Sequence, residues 1–190
     1  MKKDLKKVEK TRNIQRKNRE GTFSVALLGY TNAGKTTLLN AFTKSNATVE
    51  DKLFVTLDPL TRVTKTEDNN KFLLIDTVGF IRGIPTEIMS SFKSTLEEAK
   101  EANLRIIIVD SSSEKIEKEL EETRKVMDFL EINDSDNILT FNKIDQVIDS
   151  ALLNHLQKKY AQAVFISAKN EIGLNELMER INAYKKRFRN

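Results

Sequence analysis

The stretch VALLGYTNAGKTTLLN, residues 25–40, decides how this chain is read. Val25 to Leu28 have the apolar run of a buried strand. They give way to Gly29, Tyr30, Thr31, Asn32, Ala33 and Gly34 before Lys35, Thr36 and Thr37 open a leucine-bearing helix. Gly29 to Thr36 fits the pattern of Gly, four residues, Gly, Lys and then Ser or Thr. Glycines permit a backbone that turns successive N–H groups inward, and the helix that follows adds its positive N-terminal end. That combination is a cradle for phosphate, with Lys35 reaching the β- and γ-phosphates and the Thr36 hydroxyl available to Mg²⁺. A glycine turn without a ligand is the alternative, and the position between strand and helix argues against it.

Working outward, apolar runs recur at FSVALLG (23–29), KFLLIDT (71–77), LRIIIVD (104–110), NILTFNK (137–143) and AVFISA (163–168). Helical spacing marks 35–44, 86–102, 114–130, 149–160 and 174–187. Alternating strand and helix predicts an α/β fold with a mainly parallel sheet and helices on both faces. TRVTKTE (61–67) alternates polar and apolar residues just before KFLLIDT, which predicts a hairpin and one antiparallel edge strand. With it the sheet has six strands, the P-loop NTPase G-domain architecture.

Composition narrows the class. The 190 residues suit one domain, and 39% apolar with 32% charged residues suits a soluble protein. No segment approaches the ~20 apolar residues of a membrane span, and nothing at the N-terminus reads as a secretory signal. The chain has no cysteine, so disulfides and thiolate metal sites are excluded, and a cytoplasmic location is expected. Net charge is +4 but uneven: residues 1–20 carry +6 and residues 180–190 carry +5, leaving −7 for the middle. Two readings stand for the basic ends, contact with polyanions such as RNA or simple solvated helix faces. Residues 1–20 are expected to form a basic helical tail ahead of a domain spanning 21–190. His155, the only histidine, is expected on the surface of a polar helix.

Three further motifs follow in order. LLIDTVG ends an apolar strand with Asp76, Thr77, Val78 and Gly79. The carboxylate can order a Mg²⁺ shell through water, and the Gly79 N–H can sense a γ-phosphate. NKID (Asn142, Lys143, Ile144, Asp145) selects the base. Asp145 can accept from guanine N1–H and the exocyclic amine together, Asn142 would brace the loop, and the aliphatic stem of Lys143 would cover the purine face. SAK (Ser167, Ala168, Lys169) follows the next apolar strand, where a backbone N–H can meet guanine O6. A threonine between the phosphate loop and Asp76 is needed to complete the Mg²⁺ shell. Thr48, Thr56 and Thr61 are candidates, and Thr56, followed by Pro59 in KLFVTLDP, is the choice.

These stretches, together with DTVGFIRGIP and SFKSTLEEA, make residues 20–180 resemble the HflX family of ribosome-associated GTPases. The resemblance implies that Thr56 binds Mg²⁺ and the γ-phosphate, and that Phe54, Val55, Leu57 and Asp58 contribute to the nucleotide site. It also implies GTP and GDP as ligands and the large ribosomal subunit, both rRNA and protein, as partner. Family members carry a large N-terminal domain and a long helical hairpin, and residues 1–20 resemble the end of that hairpin.

The expected activity is Mg²⁺-dependent hydrolysis of GTP to GDP and phosphate, with Lys35, Thr56 and Gly79 at the reacting phosphate. Turnover is expected to be slow, because the residue after Gly79 is Phe80 and a phenyl ring cannot orient the attacking water. Asn32 has two readings, an ordinary polar loop residue or a ligand for K⁺ beside the phosphates, where a cation could stabilise charge. The alternative function is a nucleotide-gated binding module with negligible turnover. A kinase of the same fold is disfavoured by NKID.

Overall fold

The computed structural model describes residues 21–44, 60–65, 71–77, 98–132 and 134–188. Strands β1 (Ser24–Gly29), β2 (Leu60–Lys65), β3 (Lys71–Asp76), β4 (Leu104–Asp110), β5 (Asn137–Asn142) and β6 (Val164–Phe165) form one sheet in the order β2-β3-β1-β4-β5-β6. Helices α1 (Lys35–Thr43), α2 (Ile116–Phe129), α3 (Ser150–Lys159) and α4 (Leu174–Phe188) connect or flank them. Among the described strands only β2 runs antiparallel, paired with β3 from Leu60↔Asp76 to Lys65↔Lys71. The hairpin expected from TRVTKTE is therefore present, with residues 66–70 outside the described residues. The predicted helix 86–102 is described only at 98–102, of which 98–101 are helical.

Strand periodicity distributes the core. Val25 and Leu27 point to one face, where they pack with Leu38 and Leu39 of α1 and with Leu177 and Ile181 of α4. Ala26 and Leu28 point to the other, against Ala99 and against Val126 and Met127 of α2. A third cluster joins Val109 and Phe141 to Ile116 of α2 and Leu156 of α3. Burial on both faces explains why these strands read as continuous apolar runs rather than alternating ones. Each fully buried leucine contributes about 1.5–3 kcal/mol.

Helix ends follow local chemistry. The acidic run at the start of α2 puts Glu117 and Glu119 in its first turn, where the helix dipole favours them. Lys125 pairs with Glu121 at 2.6 Å, one turn apart on a solvated face. Asp149 caps α3 by accepting from the Ala151 N–H at 2.8 Å, and His155 on that helix is exposed.

AVFISA forms a shorter strand than its apolar run predicts. β6 ends at Phe165, Ile166 N–H still reaches the Phe141 carbonyl at 2.8 Å, and Ser167 then exchanges hydrogen bonds with Ile172. Backbone that would have continued the ladder is turned into a tight loop at the strand's carboxyl end.

Candidate functional site

The parallel strands β1, β4 and β5 and the β6 loop end at one rim, with registers Leu27↔Asp76, Gly29↔Ile108 and Asp110↔Asn142. Open α/β sheets bind ligands at this carboxyl rim. The phosphate-loop residues leave β1 here. Gly29 has φ +147°, and a Cβ on it would overlap the Ile108 carbonyl oxygen, so only glycine lets β1 end so close to β4.

Lys35 begins α1 with its side chain buried beneath the loop it follows. Its Nζ donates to the carbonyls of Gly29 at 3.2 Å and Tyr30 at 2.8 Å. Burial pushes its pKa down to about 8, against the upward pull of the Asp76 carboxylate. The next residue, Thr36, donates its hydroxyl to Asp76 Oδ2 at 2.6 Å across 40 positions of sequence. Asp76 is fully buried. A hydroxyl and a carboxylate side by side are hard oxygen donors of the kind Mg²⁺ takes when phosphates and water complete its shell, so the residues present fit the ion. Tyr30 packs against the α2 side of the sheet and its hydroxyl reaches Glu122 at 3.3 Å. Asn32 is exposed in a left-handed conformation, φ 62°, while Ala33 is buried. Thr31 and Thr37 are half-buried at the two ends of the Gly-Lys-Thr turn.

Asn142 ends β5, one strand in from the β6 edge of the sheet. Its Nδ2 donates to the Ala33 carbonyl at 2.9 Å, and its Oδ1 accepts from the Ala168 N–H at 2.9 Å. One buried amide thus ties the phosphate loop to the loop after β6. Lys143 adopts φ 63°, and Ile144 N–H then bonds the Ile166 carbonyl at 3.2 Å. Asp145 lies exposed in the 3₁₀ turn Ile144–Gln146. Ser167 and Ala168 are buried beside it, with the Ser167 hydroxyl accepting from Asn170 N–H, and Lys169 is exposed.

Thr77 behaves differently from its neighbours. It is fully buried and donates its hydroxyl to the Leu27 carbonyl at 2.6 Å, so its side chain braces β1 and only its backbone can face a ligand. Thr56, with Phe54, Val55, Leu57, Asp58, Val78, Gly79 and Phe80, lies outside the described residues. Sequence reasoning passed over Asp110, whose Oδ2 pairs with Lys143 Nζ at 2.7 Å. A strand ending in Asp, as LRIIIVD does in parallel with KFLLID, was the available signal.

Residues 24–143 match the family described as 50S ribosome-binding GTPase. GTPase HflX of Caldanaerobacter subterraneus subsp. tengcongensis is 43% identical over 179 residues, which cover 93% of this chain and 40% of that protein. GTPase HflX of Escherichia coli is 33% identical over 92% of this chain and 42% of its own length. Among solved structures, a GTP-binding protein from Sulfolobus solfataricus in complex with GDP superposes with a TM-score of 0.68 at 27% identity, over 98% of this chain and 57% of that one. The chain thus spans 40–42% of the length of these two HflX proteins. Among the described residues, no helix is long and apolar enough to cross a membrane. With its phosphate loop, Thr36–Asp76 hydrogen bond and NKID turn on one rim, the chain belongs to the family of 50S ribosome-binding GTPases, with HflX proteins among its relatives.

Proposed function

We propose that this chain binds GTP and GDP with Mg²⁺, hydrolyses GTP slowly, and acts as a switch on the large ribosomal subunit in the cytoplasm. The observation that carries the nucleotide reading is the Asn142 amide, which holds the phosphate loop and the β6 loop together beside Asp145. A ligand spanning the two loops needs phosphate at one end and a base with adjacent donors at the other. Guanine supplies those donors and adenine does not.

In this reading Lys35 and the loop N–H groups would neutralise the phosphates, Thr36 and Thr56 would hold the metal, and Asp76 would order its shell through water. When bound, Mg²⁺ would supply charge neutralisation at the phosphates. A phosphate beside Lys35 returns its amine to the charged form that burial disfavours. Thr56 and Gly79 would contact the γ-phosphate, and water would attack in line. Phe80 offers no hydrogen bond to that water, which supports slow turnover and a need for outside help.

Two sources of help are consistent with the sequence. K⁺ held at Asn32 could stabilise transition-state charge, and Asn32 is exposed at the loop's outer edge. The large subunit could order the loops around Thr56 and Gly79. The basic segments 1–20 and 180–190 would approach RNA phosphates. The ribosomal partner is supported by the family's description and by the HflX relatives.

The test is GTP turnover by the purified chain with Mg²⁺ and K⁺, with and without large ribosomal subunits. Strong stimulation by the subunits is the expected result. GTP binding with no turnover over hours in a single-turnover assay would favour the second reading, a nucleotide-gated binding module, for which Phe80 is the argument. Preferential binding of ATP would refute the guanine reading outright.

A further inference from the structure

Lys143 is held by more than its own turn. It follows β5 with φ 63°, a conformation uncommon outside glycine and one that costs on the order of 1 kcal/mol or more. Its ammonium is pinned to Asp110 Oδ2 at 2.7 Å, and the two side chains are only 19% and 20% exposed. Asp110 is itself fixed. Its Oδ1 accepts from the Ser112 N–H at 2.9 Å and from the Ser112 hydroxyl at 2.6 Å, and the neighbouring Ser111 N–H bonds the Asn142 carbonyl at 2.8 Å. The β4–β5 register sets Asp110 directly beside Asn142, so the carboxylate and the NKID turn cannot separate without breaking the sheet.

A lysine stem is four flexible methylenes, and an unanchored one loses its rotamer freedom when it lies along a ligand. Anchoring the ammonium at a buried-edge carboxylate removes that freedom in advance. From this we propose that Asp110 is a positioning residue for nucleotide: by holding the Lys143 ammonium it presents the stem as a preformed wall against the purine face, and so sets how long the nucleotide stays bound. This rests on the guanine reading of NKID. It assigns Asp110 no contact with the reacting phosphate, so its effect falls on nucleotide release rather than on the hydrolytic step.

The experiment is stopped-flow displacement of a ribose-labelled fluorescent GDP from the full chain in Mg²⁺, with excess unlabelled GDP. Asp110→Asn keeps an Oδ1 acceptor for Ser112 and removes the charge that holds Lys143. Dissociation about five- to tenfold faster than wild type is expected, as for loss of one partly buried ion pair. Asp110→Glu, which restores the charge one methylene farther out, is expected to recover at least half of that change. In a Lys143→Met background, where the stem persists without its charge, Asp110→Asn is expected to change release by less than twofold. A general weakening of the fold would instead accelerate release equally in both backgrounds, and that result overturns the proposal. So does an Asp110→Asn rate within twofold of wild type when the wild-type chain binds GDP well. A wild-type chain that binds no GDP overturns the guanine reading and this inference with it.

Discussion

The amide of Asn142 fills the space that a side chain on Gly34 would need: a Cβ built on Gly34 overlaps Asn142 Nδ2. Gly34 also has φ +94°, so backbone conformation and close approach both demand glycine here, as they do at Gly29. Gly34→Ala is expected to cost about 1–3 kcal/mol and to weaken GDP binding at least tenfold, because the loop must move away from Asn142. Calorimetric titration with GDP alongside chemical denaturation checks both parts.

Removing the amide itself has a different signature. Asn142→Ala leaves the Ala33 carbonyl and the Ala168 N–H without their partner in a buried place. A loss of roughly 2–4 kcal/mol in the ligand-free chain is expected, since two orphaned backbone groups are involved. The urea midpoint, read at unchanged slope, measures it.

Lys35 makes stability depend on alkaline pH in a direction opposite to that of a paired lysine. Its folded pKa, about 8, lies below the ordinary value of 10.5, so between these values the unfolded chain binds more protons than the folded one. Stability without nucleotide should therefore rise from pH 8 towards pH 10.5, by an amount on the order of 3 kcal/mol from this group. Comparing wild type with Lys35→Met isolates the term: the wild type should gain on the variant as pH rises through that window. GDP affinity should move the other way and fall above pH 8, because the neutral amine no longer attracts phosphate.

Much of this architecture was legible because the strands are buried on both faces and the loops between them carry fixed chemistry. β1, β3, β4 and β5 all lie within a residue of their apolar runs. β6 was not, because hydrophobicity marks burial of 163–168 while only hydrogen-bond geometry shows the ladder giving way to the Ser167–Ile172 loop. In the site, spacing pointed to Lys35, Thr36, Asp76 and the NKID turn. It could not show that the Thr77 hydroxyl turns back to Leu27 or that Asp110 meets Lys143, since both depend on which residues the sheet sets side by side. A carboxylate and a lysine 33 positions apart carry no local pattern.

Asn32 separates the two readings of cation use. If its amide helps hold K⁺, GTP turnover in KCl should exceed that in NaCl at equal ionic strength, and Asn32→Ala should remove most of the difference. Equal rates in the two salts for the wild type would leave Asn32 as an exposed polar residue of the loop.

The strand order carries a kinetic consequence. The phosphate loop leaves β1, in the middle of the sheet, while Ala168 follows β6 at its far edge, and Asn142 reaches both from β5. The clamp therefore closes only after β1–β4, β4–β5 and β5–β6 have each paired in parallel, contacts between distant parts of the chain that form slowly. During refolding, competence to retain GDP should appear in the last phase, together with exchange protection of the Ala168 amide. Nucleotide present at that moment traps the finished sheet by mass action, so that the ligand acts as the final latch on the order of its strands.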